Sequence, residues 1–115
     1  MTIIEVIKNK KQFLSLLLLA DEQENMIDRY LERGTMYVLN DNGVKAECVV
    51  TDECNGILEI KNIATVPEYQ GKGYAKALID FIVKEYADKY SVLQVGTGDS
   101  PLTVPFYEKC GFVRS

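Results

Sequence analysis

The chain has no histidine among its 115 residues, so Ser-His-Asp and Cys-His nucleophile pairs and most catalytic zinc sites are excluded at the start. It has no tryptophan either, so an aromatic platform for single-stranded nucleic acid would have to be built from Tyr or Phe. Cysteine is scarce and odd in number. Cys48, Cys54 and Cys110 form no C-x-x-C pair and are read as reduced thiols of a cytoplasmic protein, not as a disulfide framework or a metal cluster. The longest apolar run, Leu16 to Ala20, is far short of the ~18 residues of a membrane span. Charged Glu5, Lys8, Lys10 and Lys11 interrupt any apolar stretch that could serve as a signal peptide. Positive charge is not in surplus: 13 basic residues face 17 acidic ones, a net charge of −4. That balance argues against a nucleic-acid binder held by phosphate contacts.

What is present describes one folded domain over 1–115, with 47% hydrophobic and 26% charged residues. Thr2 to Ile7 alternates as a first strand. Asn9 and Gln12 have capping-box spacing, followed by Phe13, Leu14, Leu17 and Leu18 at helical spacing. Met26, Ile27, Tyr30 and Leu31 form a second helical pattern, which Arg33 and Gly34 are placed to end. Met36 to Leu39 and Val44 to Thr51 are strands joined by Asp41-Asn42-Gly43, a strong hairpin turn. Asp52 to Gly56 turns again into a fourth strand, Ile57 to Val66. A helix from about Lys72 to Tyr90 carries Ala75, Leu78, Ile79, Ile82 and Tyr86 on one stripe. Ser91 to Val95 is a fifth strand, and a last helix is expected from Leu102 to Cys110. The fold class is α+β: a mixed, mostly antiparallel central sheet flanked by helices, its fourth and fifth strands parallel because a helix joins them.

The stretch Leu58 to Lys76 carries the most information. Leu58 and Ile60 share a face, but the next large apolar residues, Ile63 and Val66, have slipped in parity, which predicts a bulge near Asn62. A bent strand with unpaired main-chain groups could pair with an extended, amide-bearing ligand, although strand irregularity alone also explains the slip. Pro67 ends the strand. Gln70-Gly71-Lys72-Gly73-Tyr74-Ala75 then runs directly into the helix. Small residues there let a ligand approach amide N–H groups at the helix start, a phosphate-binding arrangement, with Lys72 and Lys76 adding charge; a plain solvated loop is the alternative. It is not a P-loop, since no Gly-Lys-Ser/Thr follows, and Lys76 stands where a dinucleotide fingerprint wants a small residue.

Gln70-x-x-Gly73-x-Ala75 resembles the Gln/Arg-x-x-Gly-x-Gly/Ala signature of the GNAT acetyltransferases, which use acetyl-coenzyme A (acetyl-CoA). The likeness extends upstream through Val66-Pro67-Glu68-Tyr69 and downstream to Phe106-Tyr107-Glu108-Lys109-Cys110-Gly111-Phe112. The resemblance implies that pantetheine pairs with the main chain of Ile63, Ala64, Thr65 and Val66. It implies that the pyrophosphate rests on the amides of the glycine turn, Gly71, Lys72, Gly73, Tyr74, Ala75 and Lys76, with Gln70 also binding the coenzyme. Tyr107 falls where relatives often have a tyrosine beside the coenzyme sulfur. Glu59 falls where some carry a carboxylate base, and Ser100 where many have an asparagine that touches the coenzyme. A main-chain amide near Ala64 or Val66 is the expected oxyanion donor, and no metal is required. The family usually continues past its Gly-Phe motif. The resemblance therefore implies that a closing C-terminal strand is missing here, through truncation or supply by a partner copy, and an exposed edge would favour a homodimer.

The implied reaction is N-acetyl transfer from acetyl-CoA to a primary amine of a small molecule or peptide, with no part for nucleic acid or membrane. An alkylamine of pKa ~10.4 must lose a proton before it attacks, which costs ~4.6 kcal/mol at pH 7. Glu59 is the candidate acceptor of that proton, against the alternative of a glutamate paired with Lys61. Tyr107, a phenol near pKa ~10, is a weaker acid than a thiol near ~8.5, so it would stabilise the leaving thiolate by a hydrogen bond more than by early protonation. A non-catalytic acyl-CoA-binding or sensing domain on the same fold is the other reading.

Overall fold

The computed structural model describes residues 1–95 and the strand 102–105. The first strand is β1 (Thr2–Val6), followed by a 3-10 turn (Lys10–Phe13), α1 (Leu14–Ala20) and α2 (Glu24–Leu31). A meander follows: β2 (Thr35–Asn40), β3 (Val44–Asp52) and β4 (Ile57–Thr65). Another 3-10 turn (Pro67–Tyr69) leads to α3 (Tyr74–Tyr86), β5 (Val92–Val95) and β6 (Leu102–Pro105). The six strands form one sheet in sequence order, antiparallel throughout except for the parallel pair β4–β5. The expected α+β sheet with parallel fourth and fifth strands is what the chain adopts.

Both faces of the sheet are covered, which explains why β2 and β3 are buried almost throughout. Leu39, Cys48, Val50, Leu58 and Ile60 pack under Leu78, Ile82 and Val83 of α3. On the opposite face Met36, Val38 and Val49 pack under Leu17 of α1 and Ile27, Tyr30 and Leu31 of α2.

Four local expectations are corrected. Asn9 does not form a capping box: it adopts a left-handed conformation (φ 53°) with no side-chain cap, and only its carbonyl is used, by the Gln12 N–H. Gly34 is not a positive-φ helix cap. Instead α2 stops at Leu31, and Lys10 Nζ donates to the carbonyls of Leu31 and Gly34, both at 2.7 Å, so a cation satisfies the helix end. Glycine is required at 34 by close approach, because a Cβ there would lie 2.8 Å from Val49 Cγ1 and 2.9 Å from the Tyr30 carbonyl. Gly34→Ala should therefore cost about 1–3 kcal/mol through overpacking, read as a lowered midpoint in urea at unchanged slope. The long helix begins at Tyr74 and ends at Tyr86, where the apolar stripe ends, and so is shorter than the expected range from about Lys72 to Tyr90. Finally, Leu102–Pro105 is a strand paired with β5, not the start of a helix: Thr103 and Val104 are β-branched, and Pro105 stands at the strand's end; the rest of the expected helix, to Cys110, lies outside the described residues.

Candidate functional site

The predicted bulge in β4 is present. Val49 of β3 opposes Asn62 while Val50 opposes Ile60, so Lys61 is the extra residue. The slip lets Ile60 and Ile63 share the α3 face and turns Asn62 to the other, where its Nδ2 donates at 3.0 Å to both the Leu17 carbonyl and Tyr30 Oη. One bulged strand thus ties α1 and α2 to the sheet.

The bend has a second effect. β5 pairs with β4 only from Ile57 to Ile60, so beyond the bulge that edge of β4 has no partner among the described residues. On the other edge the ladder with β3 continues to Thr65, and the Val66 N–H donates to the Lys45 carbonyl at 2.8 Å. Alternation along an antiparallel ladder then points the main-chain groups of Ala64 toward β3 as well, and those of Ile63 and Thr65 toward the open edge. The oxyanion donor expected at Ala64 or Val66 is corrected accordingly: both amides face β3, and the N–H groups of Ile63 and Thr65 are the ones left to serve.

After Pro67 the chain turns through Gly71 (φ 82°) and Gly73 (φ 86°), left-handed conformations that favour glycine. Gly73 is the residue before α3, and the first helical bond is made by the Ala77 N–H to its carbonyl. Among the described residues no acceptor meets the N–H groups of 71–76, so they and the positive end of a 13-residue helix are turned outward together. Open edge and turn share one cleft of ≈380 Å³. Ile63, Ala64 and Thr65 line one part; Gln70, Gly71, Gly73, Tyr74, Ala75 and Lys76 line the other. Gln70 Nε2 bridges the two by donating to the Thr65 carbonyl at 3.4 Å.

Of the remaining candidates, Val66 and Lys72 lie outside the lining, and Ser100 and Tyr107 lie outside the described residues. Glu59 is almost buried, and its carboxylate is engaged on both oxygens: Lys61 Nζ lies 2.7 Å from one, and Gln94 Nε2 donates to the other. Both carboxylate oxygens are thus already occupied by neighbours. The arrangement matches the paired-glutamate alternative.

Three features of the site had no clear sequence signal. Leu19, at the end of α1, and Tyr69 also line the cleft. Tyr69 is fixed edge-to-face against Tyr74, with Lys45 Nζ 4.2 Å from its ring centre. Tyr74 in turn donates to Asp41 at 2.7 Å, so the hairpin between β2 and β3 braces the helix start. The third is Glu47 on β3, which is fully buried on the α1/α2 face; burial pushes its carboxyl up to about 8. Tyr30, near Glu47 on the same face, is pushed to about 12, chiefly by burial.

Comparison with known proteins agrees with this geometry. The family described as Acetyltransferase (GNAT) domain matches residues 32–114. A Bacillus subtilis (strain 168) protein named uncharacterized N-acetyltransferase YvbK is 35% identical over 104 residues, covering 88% of this chain and 67% of its own. A GNAT family acetyltransferase from Elizabethkingia anophelis, solved with acetyl-CoA bound, superposes with a TM-score of 0.77 at 32% identity, over 86% of this chain and 66% of that one. The IAA acetyltransferase of Bacillus cereus ATCC 14579 gives 0.75 at 34% identity, over 95% and 75%. The chain thus spans about two-thirds of the length of the first two relatives. On the family match and these identities, the chain belongs to the GNAT acetyltransferases.

Proposed function

We propose that the chain is an N-acetyltransferase that moves an acetyl group from acetyl-CoA to a primary amine by direct attack in a ternary complex. One observation carries the reading: the edge of β4 that has no partner among the described residues and the unbonded N–H groups of Gly71, Gly73, Tyr74, Ala75 and Lys76 belong to residues that line a single cleft. An amide-bearing pantetheine arm pairs along Ile63 and Thr65, and a pyrophosphate accepts from the turn at the positive end of α3. Lys76, on the lining, adds positive charge at that end. The bound acetyl-CoA of the Elizabethkingia relative supports the same cosubstrate here.

In the reaction the neutral amine attacks the thioester carbonyl carbon. The C–N bond forms, the C–S bond breaks, and the sulfur leaves with the electron pair and takes up a proton. The Ile63 or Thr65 N–H stabilises the oxyanion. Tyr107 is proposed to hydrogen-bond the leaving thiolate. Glu59 enters as a positioning residue, holding the bulged Lys61 against β5 through Gln94. Its double engagement is also what favours the second reading, an acyl-CoA-binding or sensing domain without turnover.

A thiol-release assay over a panel of primary amines separates the two. Release of coenzyme A that depends on amine supports the transferase; acetyl-CoA binding with no release over the panel supports the sensor. Tyr107→Phe should lower kcat about 10- to 100-fold with the KM for acetyl-CoA changed less than about twofold, as expected of a group acting on the leaving sulfur alone. Unchanged kcat removes Tyr107 from the mechanism.

A further inference from the structure

The hairpin between β2 and β3 has no part in the reaction as described, yet it holds the glycine turn at both ends. At the entry, the Lys45 carbonyl accepts from the Val66 N–H at 2.8 Å, and Lys45 Nζ stands 4.2 Å from the ring centre of Tyr69. At the exit, the hydroxyl of Tyr74, the first residue of α3, donates to Asp41 Oδ2 at 2.7 Å. Between these two holds the chain is exposed from Gln70 to Gly73, and a Cβ on Gly71 or Gly73 would meet no protein atom within 4 Å. The hairpin is itself fixed by its own bonds. The Asp41 N–H donates to the Gly43 carbonyl at 2.9 Å, the Gly43 N–H to Asn40 Oδ1 at 2.8 Å, and Lys45 Nζ to the Asn42 carbonyl at 3.0 Å. Asn42 (φ 56°) and Gly43 (φ 109°) supply the successive positive φ values that a tight hairpin favours. Leu39 opposes Ala46 while Asn40 opposes Val44, so Lys45 is an extra residue in β3.

We propose that Asp41 is a positioning residue for the coenzyme: through the hydroxyl of Tyr74 it holds the start of α3 so that the N–H groups of the glycine turn stand ready for the pyrophosphate. The inference rests on the reading of the cleft as an acetyl-CoA site. An exposed turn with two glycines has many conformations, and ordering it when a ligand arrives lowers affinity. Holding both ends from a rigid hairpin removes part of that cost before the ligand arrives. Neither Asp41 nor Lys45 lines the cleft, whereas Tyr69 and Tyr74 do, so the hairpin acts on the coenzyme through those two rings. The charge on Asp41 points the same way. A carboxylate beside an anion-binding turn opposes the anion by its charge, so what it contributes is an acceptor, and a bond to a charged acceptor is the stronger kind. That bond also pushes the Tyr74 hydroxyl up from its ordinary value, which keeps it a donor throughout the neutral range.

The test is a calorimetric titration of the full chain with acetyl-CoA, well below the melting temperature, on wild type, Asp41→Ala, Asp41→Asn, Tyr74→Phe and the double variant Asp41→Ala/Tyr74→Phe. Asp41→Ala and Tyr74→Phe should each bind about tenfold more weakly. The double variant should be within threefold of either single one, because both remove the same bond. Asp41→Asn keeps an acceptor oxygen and sheds the charge, so it should stay within threefold of wild type, a rescue that general loss of stability would not produce. With the best amine of the thiol-release panel, the two single variants should show a raised KM for acetyl-CoA and a kcat within twofold of wild type. Wild-type affinity in Asp41→Ala overturns the proposal, as does an Asp41→Asn as weak as Asp41→Ala, or losses that multiply in the double variant. Should Asp41→Ala not fold, Tyr74→Phe and Asp41→Asn decide. No binding of acetyl-CoA by wild type overturns the coenzyme reading and this inference with it; binding without turnover favours the sensing domain and leaves the affinities to decide.

Discussion

Glu47→Gln is expected to melt well above the wild-type chain at pH 8 and at nearly the same temperature at pH 4. Burial raises the Glu47 carboxyl from its ordinary 4.5 to about 8. Between those values the unfolded chain carries the charge and the folded chain does not, so folding takes up a proton. Stability therefore falls as pH rises through that window and is unaffected by this group below it. Each unit is worth ~1.4 kcal/mol, which makes the cost at pH 7 about 3 kcal/mol and at pH 8 of order 4–5 kcal/mol. Glutamine carries no such penalty, and its amide hydrogens can meet the unpartnered Asn62 Oδ1. For a domain of this size the difference at pH 8 corresponds to roughly 10 °C or more in midpoint. Circular-dichroism melts at pH 4, 6 and 8 check it: a gap that does not grow with pH would mean that Glu47 is already ionised in the fold.

Gly73→Val should abolish measurable acetyl-CoA binding at concentrations that saturate wild type, a loss of at least 100-fold, while the protein still folds. Gly73 has φ 86°, where a β-branched residue costs about 1–3 kcal/mol of strain. Its Cβ would meet no protein atom within 4 Å, so the side chain obstructs the cleft and not the core. Relief of that strain swings the N–H groups of the turn away from the helix axis, and the cradle for phosphate is lost with them. Gly71→Ala, also at positive φ in open space, should give a smaller loss of the same kind. Isothermal titration with acetyl-CoA measures both. Binding by Gly73→Val at wild-type affinity would separate the turn from the coenzyme.

Much of this was legible in the residues. The parity slip between Ile60 and Ile63 located the bulge to within one residue, because a buried strand face must keep its apolar register. Gly71 and Gly73 beside an apolar stripe marked the turn, since only glycine takes that backbone conformation freely. What was not legible depended on distant contacts. Nothing local says that Lys10 closes α2, that Glu59 would find Gln94 across the parallel pair, or that Glu47 would be sealed in under α1. In an alternating strand a glutamate is normally an outward residue; here the second layer of helices buries both faces. Gly34 misled for the same reason: a packing constraint and a helix cap look alike in sequence.

The divided pairing of β4 also bears on how the chain assembles. Strands β2 to β4 meet through short turns, whereas β1 reaches β2 only across α1 and α2, and β5 reaches β4 only after α3 has been laid across the sheet. Contacts that close long loops are entropically later than those of hairpins. The fork proposed to receive the thioester arm is thus completed after the meander it opens from, and a nascent domain acquires the centre of its sheet before its chemistry.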